Sequence, residues 1–138
     1  IAVAAIDKRI GAVNARVPAL TDLAGHLQEH RFSWPRYGKM MQDGDNVEME
    51  MKVLPYYDGA VMIQHTDAKL WIEAGLIDAT CPAECVIAAF NVAVSADKKL
   101  YTYPYRPHSS YYMDERVQND WTELVDNPRN KEIYEWLK

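Results

Sequence analysis

The sequence predicts an α+β domain: a kinked N-terminal helical arm, two antiparallel β-hairpins separated by a short helix, and C-terminal helices. Three observations carry that reading. Val3, Ile6, Ile10, Val13, Val17, Leu20, Ala24 and Leu27 recur at alternating spacings of three and four, the seam of an amphipathic helix. Val47 to Val53 alternates strictly between apolar and charged residues, the period of a half-buried strand. Val117, Trp121 and Leu124, then Ile133, Trp136 and Leu137, return to helical spacing near the end of the chain.

Taken in order, the arm covers residues 1–31. Pro18 interrupts its seam, because proline removes a helical donor and disfavours helix at the residue before it; two helices over 2–16 and 19–31 are expected across a kink. Residues 31–46 are punctuation, with Trp34-Pro35, Gly38 and Asp43-Gly44-Asp45-Asn46, and read as a connection. The sheet region spans 47–105. Its first hairpin, 47–65, pairs the alternating strand with Ala60–His65 across the turn Asp58-Gly59, with Val47, Met49, Met51 and Val53 facing a core. Thr66 is a candidate N-cap for a helix over 67–74 that Gly75 ends. Pro82 opens a helical turn near 82–87. Phe90, Val92 and Val94 then alternate as a strand over 88–95, which pairs with Leu100–Tyr105 around Asp97-Lys98-Lys99. Pro104 places that last strand at an edge. The C-terminal region, 110–138, holds a helix over 111–125 and a final one that starts at Pro128.

With 138 residues, 49% of them hydrophobic and 25% charged, the chain has the size and composition of one globular domain. The net charge of −5 and the absence of any basic run longer than two residues lower the expectation of a nucleic-acid partner, which needs cations on phosphate. No segment has the roughly 20 apolar residues of a membrane span.

Three constellations are candidates for chemistry. His26-Leu27-Gln28-Glu29-His30 spells H-x-x-E-H; on a helix, His26 and His30 share a face and could hold a zinc, with Glu29 as general base. The alternative is two partly exposed histidines on a wet helix face, and with no evident third ligand the expectation is no metal. Cys81 and Cys85 could join His65 or His108 at a metal, but one CxxxC pair is no zinc signature, so both read as buried, reduced thiols. Tyr101, Tyr103 and Tyr105 lie at period two beside Lys98, Lys99 and Arg106, as a base-stacking platform would; a covered sheet face or a protein interface uses the same pattern. The chain has no G-x-G-x-x-G, Walker or G-x-S-x-G pattern, and no cofactor is expected.

The function expected from these features is a non-catalytic accessory subunit of a larger multiprotein assembly. Its interface would be Val3, Ile6, Ile10, Val13 and Val17 of the seam with Tyr101, Tyr103 and Tyr105, and its partners other protein subunits. The first residue is Ile1 rather than Met, which suits a processed intracellular chain such as a mitochondrial one. Two alternatives stand beside it: a small metal-dependent hydrolase using His26, Glu29 and His30, and a single-strand nucleic-acid module using the tyrosine face.

Overall fold

The computed structural model describes residues 1–28, 46–108 and 128–138. A short helix α1 (Ala2–Ile6) leads into strand β1 (Ala12–Arg16). Helices α2 (Leu23–Gln28), α3 (Val47–Val53) and α4 (Gly59–Met62) follow, with 3-10 turns at Leu54–Tyr56 and Ile63–His65. Strand β2 (Lys69–Gly75), helix α5 (Ala83–Val92) and strand β3 (Lys98–Tyr103) form a βαβ unit, and α6 (Pro128–Leu137) closes the chain. The strands make one sheet in the order β1-β2-β3, and both pairings are parallel. No helix of the described residues is long and apolar enough to cross a membrane.

Strand β2 organises this arrangement because it is buried on both faces. Leu70, Ile72 and Ala74 point to one side, into a cluster with Ile63, Ala83 and Val86. Ala15 lies opposite Ile72, and Ile72 opposite Leu100, so all three strands contribute to that face. Burying each large aliphatic side chain there is worth about 1.5–3 kcal/mol. On the other side Trp71 is fully buried. Its ring stacks on Tyr101 at 4.6 Å and meets the edge of Trp136, from α6, at 5.6 Å. A parallel strand covered on both faces reads as a continuous apolar run, not an alternation, and Leu70-Trp71-Ile72 is such a run.

The predicted fold class is therefore overturned: the sheet is parallel, and neither antiparallel hairpin exists. Val47–Val53 is helix. Asn46 caps it by accepting from the Met49 amide at 3.2 Å, and Glu48 pairs with Lys52 at 2.7 Å across one turn. Met49 and Val53 are exposed rather than core-facing, and Met51 packs on Leu54 and Leu23. Ala60–His65 is helical too, whereas the helix expected over 67–74 gives way to the central strand at 69–75. Helix α5 runs on to Val92 through the residues expected as a strand, and β3 pairs parallel to β2. The N-terminal arm is no kinked helix: residues 7–11 separate α1 from β1, and Val13 packs into the domain's own core. Val3 and Ile6 stay exposed, and Ile10 and Val17 are half-buried, so the seam is not one surface. The helix expected over 111–125 lies outside the described residues.

The chain leaves β1 through a strained corner. Val17, Leu20 and Asp22 have φ of 41°, 55° and 54°, the left-handed region that costs residues with a Cβ. The buried Asp58 carboxylate holds this corner. It accepts hydrogen bonds from the backbone amides of Asp22 at 2.9 Å and Leu23 at 2.8 Å, and caps α4 through Ala60 N–H at 2.7 Å. The Asp58-Gly59 pair, read from sequence as a hairpin turn, is a helix cap.

Candidate active site

In open parallel sheets, functional groups collect on the loops beyond the carboxyl ends of the strands. Strand β2 ends at Gly75 and continues through Leu76-Ile77 to Asp78. Strand β3 ends at Tyr103 and continues through Pro104-Tyr105-Arg106-Pro107 to His108. The two loops meet at one contact: Asp78 Oδ2 lies 3.0 Å from His108 Nδ1.

Local sequence positions the acid. The Asp78 amide closes a turn onto Gly75 C=O at 3.2 Å. Asp78 Oδ1 accepts from the backbone amides of Thr80 and Cys81, both at 2.8 Å, the self-bonding turn that aspartate favours. Pro82 then starts α5. The carboxylate is wholly buried, whereas the imidazole keeps about two-fifths of its surface in water. With Oδ1 occupied, Oδ2 is left for the ring.

The histidine loop is fixed from beneath. A Cβ on Gly75 would sit 2.3 Å from the Arg106 carbonyl oxygen, so only glycine lets the loop cross the end of β2. Arg106 reaches back to Glu73 Oε2 at 3.5 Å, where Tyr103 O–H also donates at 3.0 Å. Glu73 Oε1 accepts from Trp71 Nε1 at 3.1 Å and lies 3.4 Å from Arg16 Nε of β1. A carboxylate only 1% exposed needs such partners to remain charged. This network ties all three strands to the backbone two residues before His108.

An ionised carboxylate only accepts, so the ring proton belongs on Nδ1 and the Nε2 lone pair is free to take a proton. That is the arrangement of a general base oriented by an acid. Cys81 Sγ lies close by. Burial first, and the Asp78 charge second, push its thiol up to about 11, so it is no ready thiolate nucleophile. Ligand atoms of Asp78, Cys81 and His108 all fall within 4.8 Å of one another, a group that could hold a metal ion.

Of the residues singled out from sequence, Cys81 and His108 meet at this site, and the others lie elsewhere. His26 is in α2, while Glu29 and His30 are outside the described residues. His65 is exposed at the end of a 3-10 turn, where its carbonyl accepts from Lys8 Nζ. Cys81 and Cys85 are buried and free of any disulfide. Tyr101 and Tyr103 are already engaged, by Trp71 and Glu132 and by Glu73 respectively, and Tyr105 is exposed. An open cleft lined by Lys8, Ile10, Gly11 and Asp67 sits at the opposite, amino end of the strands. Asp78 and Glu73 escaped the sequence reading altogether. The available signal was a buried strand ending in Gly75 with an aspartate three residues on, then a histidine after the next strand.

A profile of the family acetyl xylan esterase (AXE1) matches residues 1–123. The acetyl esterase Axe7A of Xylanibacter ruminicola is 27% identical over 101 residues, which are 72% of this chain and 22% of that protein. Two solved structures resemble the chain over 88% of its length and 40% of theirs, at 22% identity. They are acetyl xylan esterase 1 from Thermoanaerobacterium sp. JW/SL YS485, with a TM-score of 0.66, and the acetyl xylan esterase from Paenibacillus sp. R4, with 0.67. The chain thus spans well under half the length of these relatives, and its sheet is of the α/β-hydrolase-like kind. The matches run to esterases and overturn the expectation of a non-catalytic accessory subunit. The organellar assembly argued from that expectation loses its basis.

Proposed function

The chain belongs to the acetyl xylan esterase family, and on that premise we propose that it carries the acid and the base of an ester hydrolase acting on acetylated carbohydrate. The observation that carries the proposal is the 3.0 Å contact of buried Asp78 with half-exposed His108, at the carboxyl ends of adjacent parallel strands. In α/β-hydrolases the triad follows the chain order serine, acid, histidine, and Asp78 precedes His108 in that way. The one serine ahead of Asp78 is Ser33, in Phe32-Ser33-Trp34 without flanking glycines, so the nucleophile is taken from sequence beyond these 138 residues.

His108 Nε2 removes the proton of the serine hydroxyl as its oxygen attacks the acetyl carbonyl. Asp78 stabilises the imidazolium that forms and holds its tautomer. The imidazolium returns the proton to the departing sugar hydroxyl, leaving an acetyl-enzyme, and the same base activates water to release acetate. Leu76, Ile77 and Tyr105, all exposed on the two loops, offer apolar surface beside this pair for a sugar ring. The test is kcat/KM for p-nitrophenyl acetate and acetylated xylan in the complete protein. His108→Ala is expected to lose about 10³-fold or more with its thermal midpoint retained. Activity within tenfold of the parent overturns the proposal.

A further inference from the structure

We propose that Asp78, Cys81 and His108 form a zinc site whose occupation switches off the acid–base pair. The inference rests on the acid–base reading of Asp78 and His108 and adds a regulator to it. One oxygen, one sulfur and one nitrogen ligand atom already lie within 4.8 Å of one another. That mixed donor set suits zinc, which is borderline-soft and takes four ligands, with water or a solute in the fourth position here. Zinc–ligand distances of about 2.0–2.3 Å set the donors of a tetrahedral site about 3.3–3.8 Å apart, so the 3.0 Å Asp78–His108 pair opens by a few tenths of an ångström and the contacts to sulfur, within 4.8 Å, close by up to about 1 Å. Asp78 and Cys81 are held in one turn by the 2.8 Å bond from the Cys81 amide to Asp78 Oδ1, so the half-exposed His108 makes most of that movement. The Thr80 and Cys81 amides on Oδ1 also leave Oδ2 as the ligand oxygen and fix the carboxylate's orientation, as a metal ligand needs. Cys85, though buried, is not part of the group.

Zinc entering between Asp78 and His108 takes the Nδ1 lone pair, and the ring's single proton moves to Nε2. The Cys81 thiol proton leaves to solvent as the sulfur ligates. With Nε2 protonated, the imidazole has no lone pair to accept the nucleophile's proton, and hydrolysis stops until the metal is removed.

The experiment adds zinc chloride to the complete, metal-free protein and follows acetyl-ester hydrolysis. Cobalt(II) in a parallel sample reports thiolate ligation by its charge-transfer absorbance. The expected result is one equivalent of zinc bound, hydrolysis abolished and restored by EDTA, and a cobalt–thiolate band. Cys81→Ser is expected to need at least tenfold more zinc for the same fractional inhibition and to lose the band. His108→Ala, at a half-exposed position that tolerates truncation, is expected to bind cobalt at least tenfold more weakly. Equal zinc sensitivity of the parent and Cys81→Ser overturns the site. Normal hydrolysis untouched by zinc also overturns it while leaving the acid–base reading intact. A cobalt–thiolate band that Cys81→Ser removes, in a protein that hydrolyses no acetyl ester, upholds the metal site and defeats the acid–base reading instead.

Discussion

Gly75→Ala should damage the site more than the fold. The new Cβ would lie 2.3 Å from the Arg106 carbonyl oxygen and 3.1 Å from its carbonyl carbon. Ordinary carbon–oxygen contact begins at roughly 3.4 Å, so the Arg106 backbone has to retreat by about 1 Å. The Arg106 guanidinium, facing Glu73 at 3.5 Å and lying over the Tyr103 ring at 4.8 Å, resists a swing of the whole loop. The displacement passes along Pro107 to His108, whose 3.0 Å contact with Asp78 then stretches beyond the roughly 3.2 Å limit of a sound hydrogen bond. A misplacement of about 1 Å costs a catalytic arrangement about 100-fold, while overpacking of this kind costs the fold about 1–3 kcal/mol. Acetyl-ester hydrolysis and thermal unfolding, measured on the complete protein, separate the two effects. The expected variant is folded at the assay temperature with kcat/KM down about 100-fold. Parent-level activity, or a loss no larger than the unfolded fraction, would refute the idea that Gly75 sets the histidine loop.

Two further outcomes follow from the same structure. Asp58→Ala strips the acceptor from three backbone amides at the strained corner and should lower stability by about 2–4 kcal/mol in urea unfolding; an unchanged midpoint would remove Asp58 from that role. The Cys81 thiol, held up to about 11 from an ordinary value of 9.0, keeps its proton when the unfolded chain has released it. Stability should therefore be unaffected below pH 9 and fall by about 2–3 kcal/mol as pH rises towards 11. Cys81→Ser should be spared that loss, and parallel stability curves for parent and variant would contradict it.

The sequence was misleading where charge alternation imitates a strand. Glu48, Glu50 and Lys52 alternate with apolar residues, yet Glu48 and Lys52 are also an i, i+4 pair behind an Asn46 cap, and those helical signals decide the element. The opposite error fell on β2. Its burial on both faces erases the period-two pattern, and Thr66, read as a helix cap, instead accepts from Ala68 N–H at 3.2 Å in a turn before the strand. Seam spacing across α1 and β1 arose from two elements of different period, and the helix stops at Asp7, whose carboxylate accepts from the Arg9 amide at 3.0 Å. Gly75 was legible as the end of an element and Pro82 as a helix start. Parallel pairing was not legible, because it depends on long crossovers rather than on local turns. The site followed the fold: Asp78 and His108 are 30 residues apart, and only parallel β2 and β3 bring their loops together. The H-x-x-E-H run drew notice because its spacing is local.

Asp78 and His108 are proposed to act as one unit in ester hydrolysis. The most direct measurement is a double-mutant cycle in kcat/KM for an acetyl ester, using Asp78→Ala, His108→Ala and the double variant of the complete protein. Residues that work as a unit are strongly non-additive, so the double variant is predicted to be no slower than His108→Ala alone, about 10³-fold or more below the parent. Independent, multiplying losses in the double variant, or a single variant with full activity, would contradict the account.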